Sequence, residues 1–170
     1  LGSDLDRMDA AYLDADVREH ELTKHVALSR LDPFALERLR ADGECYFAIP
    51  EEYFDLDCPG HYFRRLSSVA VSLESVGGRD VAVNLQLTLH RGAIRRSDDA
   101  TASPVDDGHG TELPRITTSS SSQDAGVFQL DLRDPRYVPF ERRGAVSQWH
   151  AKLTARVVKQ INWRTINDLV

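Results

Sequence analysis

The chain has 170 residues, 41% apolar and 28% charged, which is enough to bury one core and an added element. Its net charge of −6 argues against a general nucleic-acid or anionic-membrane surface, because those partners reward a basic face. No apolar run reaches membrane-spanning length and no signal peptide opens this segment. Cys45 and Cys58 show no CxxC spacing, so neither a zinc site nor a disulfide framework is expected.

Residues 4–29 carry a helical period. Leu5, Met8, Tyr12, Ala15, Leu22 and Val26 fall on three- and four-residue steps, with Glu19 the only break. Aspartates, glutamates, Arg18 and Lys24 fill the opposite face. The expectation is one long helix of roughly 37 Å. So narrow a stripe suits packing against other helices, and a helix lying across its own sheet is the plainer alternative. A short second helix follows over 31–41. Asp32 is placed to cap it, Pro33 to open it, Leu31 to staple onto Leu36, and Gly43 to end it in a left-handed conformation.

From residue 44 the period becomes two. Cys45, Phe47 and Ile49 alternate with Glu44, Tyr46 and Ala48, and Pro50 stops the run. Val69, Val71 and Leu73, a turn at Gly77-Gly78, and then Val81, Val83, Leu85, Leu87 and Leu89 read as a β-hairpin with one aliphatic face. Residues 97–114, rich in Ser, Asp, Gly, Thr and Pro, read as a solvated loop. Phe128, Leu130 and Leu132 alternate again, as do Trp149, Ala151 and Leu153, and a short strand is expected over 157–163. The fold class is therefore mainly β: an antiparallel β-sandwich preceded by a long N-terminal helix and a short second helix. The expected division is a helical segment over 1–43 and a β-sandwich over 44–170.

Chemistry was weighed residue by residue. Asp55, Asp57 and His61 supply the donors of a metal or acid–base cluster, but no further His or Cys stands near and Arg64-Arg65 compete for the carboxylates. Ion pairing at a structural corner is the preferred reading. The serines at 119–122 lack a nucleophile elbow and read as a turn. The Arg64-Arg65 and Arg142-Arg143 doublets have no glycine-rich loop before a helix, so they read as interface or salt-bridge residues. Tyr53, Phe54, Tyr62, Phe63, Tyr137, Phe140 and Trp149 cluster around two stretches. The phase of Trp149 places it in the core. Tyr62 and Phe63 are expected to face opposite ways, with only one on display. Neither catalytic residue, metal nor cofactor is expected.

Two stretches carry a family resemblance. One runs from Phe54 through Asp55, Asp57, Cys58, Pro59, Gly60, His61 and Tyr62 to Arg64-Arg65, with Pro59-Gly60 as a tight turn. The other is a Ser-rich turn over 117–122, then Gly126 to Leu130, then Arg133, Asp134, Arg136, Tyr137, Pro139, Phe140 and Glu141. With a weaker likeness over 11–31, these resemble the C-terminal, B-component-binding region of the A component of bacterial Tc toxin complexes. The resemblance implies a non-enzymatic assembly domain of a homopentamer. Five copies would form a collar that docks the B–C component over a translocation channel, secreted or at the cell surface. The motif residues would serve fold and interface. Cys58 stands where the family often has an aromatic, and Arg142-Arg143 replace small residues before Gly144, adding positive charge to a loop. The family also runs on into a further strand beyond 170. The alternative is a carbohydrate-binding, lectin-like sandwich using exposed aromatics; a hydrolase is the third reading.

Overall fold

The computed structural model describes residues 20–75, 83–99, 101–110, 113–117, 127–129, 139–155 and 166–170. Residues 20–27 carry no helix, so the expected long helix does not run through them, and its first part lies outside the described residues. Among the described residues helix begins at α1 (Leu28–Leu31), which Asp32 separates from α2 (Pro33–Asp42). The second helix has the ends its sequence requires. The Asp32 carboxylate accepts from the Ala35 amide at 2.9 Å, Pro33 opens the first turn, and Gly43 closes it at φ 76°. Ala35, Leu36 and Leu39 face inward while Phe34 points out.

The strands are β1 (Glu44–Ile49), β2 (Ser72–Ser75), β3 (Val83–Ile94), β4 (Val105–Asp106), β5 (Arg115–Thr117), β6 (Val127–Gln129), β7 (Val146–Ala155) and β8 (Ile166–Leu169). They form two antiparallel sheets. One runs β1-β7-β3-β4, with β5 also on β3; the other runs β6-β2-β8. In the first sheet the apolar phases of three strands come into line. Cys45, Ala151 and Leu87 stand abreast, as do Phe47, Trp149 and Leu89. Apart from the half-buried Phe47, these side chains are buried and join Leu28, Leu36, Leu39, Leu85, Leu153, Ile116, Ile166 and Leu169 in one cluster. The Trp149 indole donates to Ser147 Oγ at 2.8 Å, so its polar edge is satisfied inside the core. Cys45 and Cys58 are free thiols, and burial pushes the Cys45 thiol up to about 11.

Among the described residues the expected hairpin does not form. Leu73 and Glu74 of β2 pair with Phe128 and Val127 of β6 on one edge and with Leu169 and Asp168 of β8 on the other. A strand has two edges, so β2 has none left for β3, whose neighbours are β7 on one side and β4 and β5 on the other. Period-two patterning reports which face a residue takes, not which strand lies beside it. The turn at Gly77-Gly78 and the strand expected over 157–163 lie outside the described residues. Most described residues of the loop over 97–114 are exposed, as its composition suggests; it contributes β4, β5 follows just after it, and its Asp107 side chain is 2% exposed.

Leu89→Ala should lower the unfolding free energy by roughly 2–5 kcal/mol in a urea titration. Phe34→Ala, on the outer face of α2, should change it by less than about 0.5 kcal/mol.

Candidate functional site

The short helix α3 (Glu51–Asp55) follows β1 directly, with Pro50 at its start. Asp55 lies four positions after Glu51, so both carboxylates leave the helix on one face. That face meets two guanidiniums. Arg64 binds Glu51 Oε1 and, at 2.6 Å, Asp55 Oδ1. Arg95 lies 3.3 Å from the same Glu51 oxygen and 3.6 Å from Asp55, with a side chain 2% exposed. The remaining donors are aimed at backbone: Arg64 at the Cys58 carbonyl at 2.8 Å, Arg95 at His61 (2.9 Å) and Asp99 (3.2 Å). The charges balance, two against two, and the carbonyls take N–H groups that would otherwise be buried unmet.

The turn itself is built as its sequence indicates. The His61 amide donates to the Cys58 carbonyl at 3.4 Å, with Pro59 and Gly60 between them and Gly60 at φ 81°. Proline then glycine at the two central positions is the placement a type II turn demands. Asp57 goes elsewhere: its partner is Lys24, which also lies 4.1 Å over the Tyr53 ring. The His61 ring meets His20 edge-on at 5.9 Å. Asp55, Asp57 and His61 therefore have separate partners, and among the described residues no group of His, Cys, Asp and Glu is arranged to hold a metal.

The end of the first sequence stretch meets the residues that follow the second. Leu66 N–H donates to Arg143 O and Arg142 N–H to Leu66 O, both at 2.8 Å; Ala145 N–H donates to Arg64 O at 3.1 Å. On the other side Phe63 N–H donates to Arg95 O at 2.8 Å. Residues 63–66 thus lie between the end of β3 and the approach to β7. Phe140 is buried edge-on against Trp149 at 5.1 Å. Glu141 and Arg142 are exposed, and Pro139 is half-buried. Arg133, Asp134, Arg136 and Tyr137 lie outside the described residues. Tyr62 and Phe63 are 49% and 47% exposed, so both are on display. The alternation argument failed because Phe63 takes φ 59°, outside the extended region.

Arg143 does not add charge to a loop. It is buried and bonded to Asp107 Oδ2 at 2.8 Å, where the Gly144 amide also donates at 2.9 Å. Burial pushes the Asp107 carboxyl up, but Arg143 and the Gly144 and His109 amides outweigh it and hold it below its ordinary 3.8. The slot depends on two glycines. A Cβ on Gly92 would stand 2.1 Å from Asp107 Oδ2, and one on Gly144 would stand 2.3 Å from Ala93 O. Sequence reasoning missed Glu51, Arg95 and Asp107. The four-residue spacing to Asp55 was available for Glu51. Arg95 follows the apolar pair Ala93-Ile94 at a strand end, and Asp107 precedes a glycine in a polar loop, so neither carried a signal.

A family model described as the Tc toxin complex TcA C-terminal TcB-binding domain matches residues 1–170. The chain belongs to this family. This TcB-binding domain is also 29% identical to Toxin subunit YenA2 of Yersinia entomophaga over 180 aligned positions, covering 96% of the domain and 13% of that protein. No solved structure matches it. Family membership carries a docking and assembly role within a toxin complex. No helix among the domain's described residues is long and apolar enough to cross a membrane.

Arg95→Ala in the TcB-binding domain should cost about 3–5 kcal/mol, because two carboxylates lose a buried partner. Arg65→Ala should cost under about 1 kcal/mol. Asp107 titrates below 3.8 when folded and near 3.8 when unfolded, so its contribution is complete above 3.8 and lost as pH falls through the folded value. Asp107→Asn should flatten the acid limb of a stability-against-pH curve.

Proposed function

We propose that this chain is a non-enzymatic docking domain that receives the B component of a Tc-type toxin. The observation that carries the reading is the match of the TcB-binding family model along all 170 residues. Geometry supports it. The first stretch that resembles the family supplies Asp55 and Arg64 to the arginine corner, and the described part of that corner presents backbone ladder, ion pairs and exposed aromatics.

The finer picture belongs to the same proposal. The docking body is a two-layer sandwich over 44–170, a reading supported by two separate sheets with residues in one apolar cluster. Residues 1–43 connect it to the rest of the subunit. Five copies in a secreted homopentamer form a collar over the translocation channel, and the B–C component seats on that collar. The motif residues Asp55, Asp57, Pro59, Gly60, His61, Tyr62, Arg64, Arg65, Arg133, Asp134, Arg136, Tyr137, Phe140, Glu141, Arg142 and Arg143 divide between holding this body together and meeting the partner.

Mixing the intact A subunit with its B component should give a complex with micromolar or tighter affinity, seen as co-elution on size exclusion. Separate elution at tens of micromolar would reject the docking role. On a glycan array the same subunit should show no specific binding that Tyr62→Ala abolishes.

A further inference from the structure

Three arginine doublets of the sequence meet at this corner: Arg64-Arg65, Arg95-Arg96 and Arg142-Arg143. Each is divided the same way. Arg64, Arg95 and Arg143 turn inward onto Glu51, Asp55 and Asp107. Arg65, Arg96 and Arg142 are exposed. The doublets lie side by side because residues 63–66 are hydrogen-bonded to Arg95 on one flank and to residues 142–145 on the other. Tyr62 and Phe63 are half-exposed, and Arg65 lies 5.1 Å over the Phe63 ring.

The patch carries charges of both signs. Of the nearby carboxylates, Glu51, Asp55 and Asp107 are engaged by the inner arginines and Asp57 by Lys24. The Asp99 carboxylate accepts from Thr101, and Asp98 and Glu141 are exposed near Arg96 and Arg142. Among the described residues, Arg65, Arg96 and Arg142 with two half-exposed aromatics thus share the patch with the exposed Asp98, Asp99 and Glu141. Phe63 at φ 59° and Arg142 at φ 63° are the non-glycine residues with positive φ among those described, and both border the patch. A left-handed conformation is costly for a non-glycine residue, and such outliers concentrate where a surface is shaped for a ligand.

We infer that the Arg65, Arg96 and Arg142 face, with Tyr62 and Phe63, grips a carboxylate-rich surface of the B component. The inference rests on the docking reading above. Guanidinium forks match carboxylates in bidentate geometry, and arginine with tyrosine dominates the strongest interface contacts. Charge at the rim of such a contact acts first on the association rate and its salt dependence. The inner arginines hold the backbone in place, so the outer ones are presented from a fixed ladder.

The test combines Arg65→Glu, Arg96→Glu and Arg142→Glu in the intact A subunit and follows association with its B component by biolayer interferometry at low and high salt. The reversal variant should associate about ten-fold more slowly at low salt and lose most of the salt dependence. Its thermal unfolding midpoint should match the unaltered subunit; if it does not, Arg→Gln changes at the same three positions give the same readout with less repulsion. Unchanged rate and salt slope in a folded variant would overturn the arginine face while leaving docking intact. Failure of the unaltered subunit to bind would remove both. Capture of RNA, in place of the B component, with the same arginine dependence would also overturn the proposal.

Discussion

The structure depends on two arginines sharing two carboxylates at a place where water is largely excluded. Arg64 and Arg95 both reach Glu51 and Asp55, and Arg95 is almost wholly covered. Neither side could be buried alone, since an unpaired ion in that setting costs several kcal/mol. The requirement brings together three distant parts of the chain. Helix α3 supplies the acids, the Pro-Gly turn delivers Arg64, and the end of β3 delivers Arg95. The spare donors then tie Cys58, Asp99 and His61 through their carbonyls, so the ion pairs also fix the backbone of the turn.

A second, smaller lock sits beside the first. Asp107 enters from a polar loop and is gripped by Arg143 and by the Gly144 amide. Its seat exists because Gly92 and Gly144 have no Cβ; either side chain would occupy the space of a carboxylate or a carbonyl. Residues 63–66 bond through their backbone to Arg95 of the first lock and to Arg143 of the second. Together the two locks let a segment with little regular structure hold a defined course between β3 and β7, and that course is what presents the outward side chains.

Much of the local structure was readable from residue order. Asp32, Pro33 and Gly43 marked the limits of α2, Pro50 marked the end of β1, and the phase of Trp149, Ala151 and Leu153 placed them in the core. These signals act within a few residues, through capping, fixed φ and alternation. The elbow was readable for the same reason, since Pro59-Gly60 states its own geometry. Pairing was not readable. Leu73 and Leu85 both alternate cleanly, yet they enter different sheets, because a face pattern carries no record of the neighbouring strand. The helical period across 20–27 was overridden too: there Lys24 reaches Asp57 and the Tyr53 ring.

By itself the sequence determined the β-rich class, the caps of α2, the Pro59-Gly60 turn, the core phases of β1, β3 and β7, and the family. All of these rest on short-range stereochemistry or on the spelling of two motifs. Only the tertiary structure decided which arginine of each doublet is inward. Two neighbouring arginines are alike as letters, and the choice between them depends on where Glu51, Asp55 and Asp107 arrive from distant segments. Coulomb attraction falls with distance through space, and distance along the chain does not measure it.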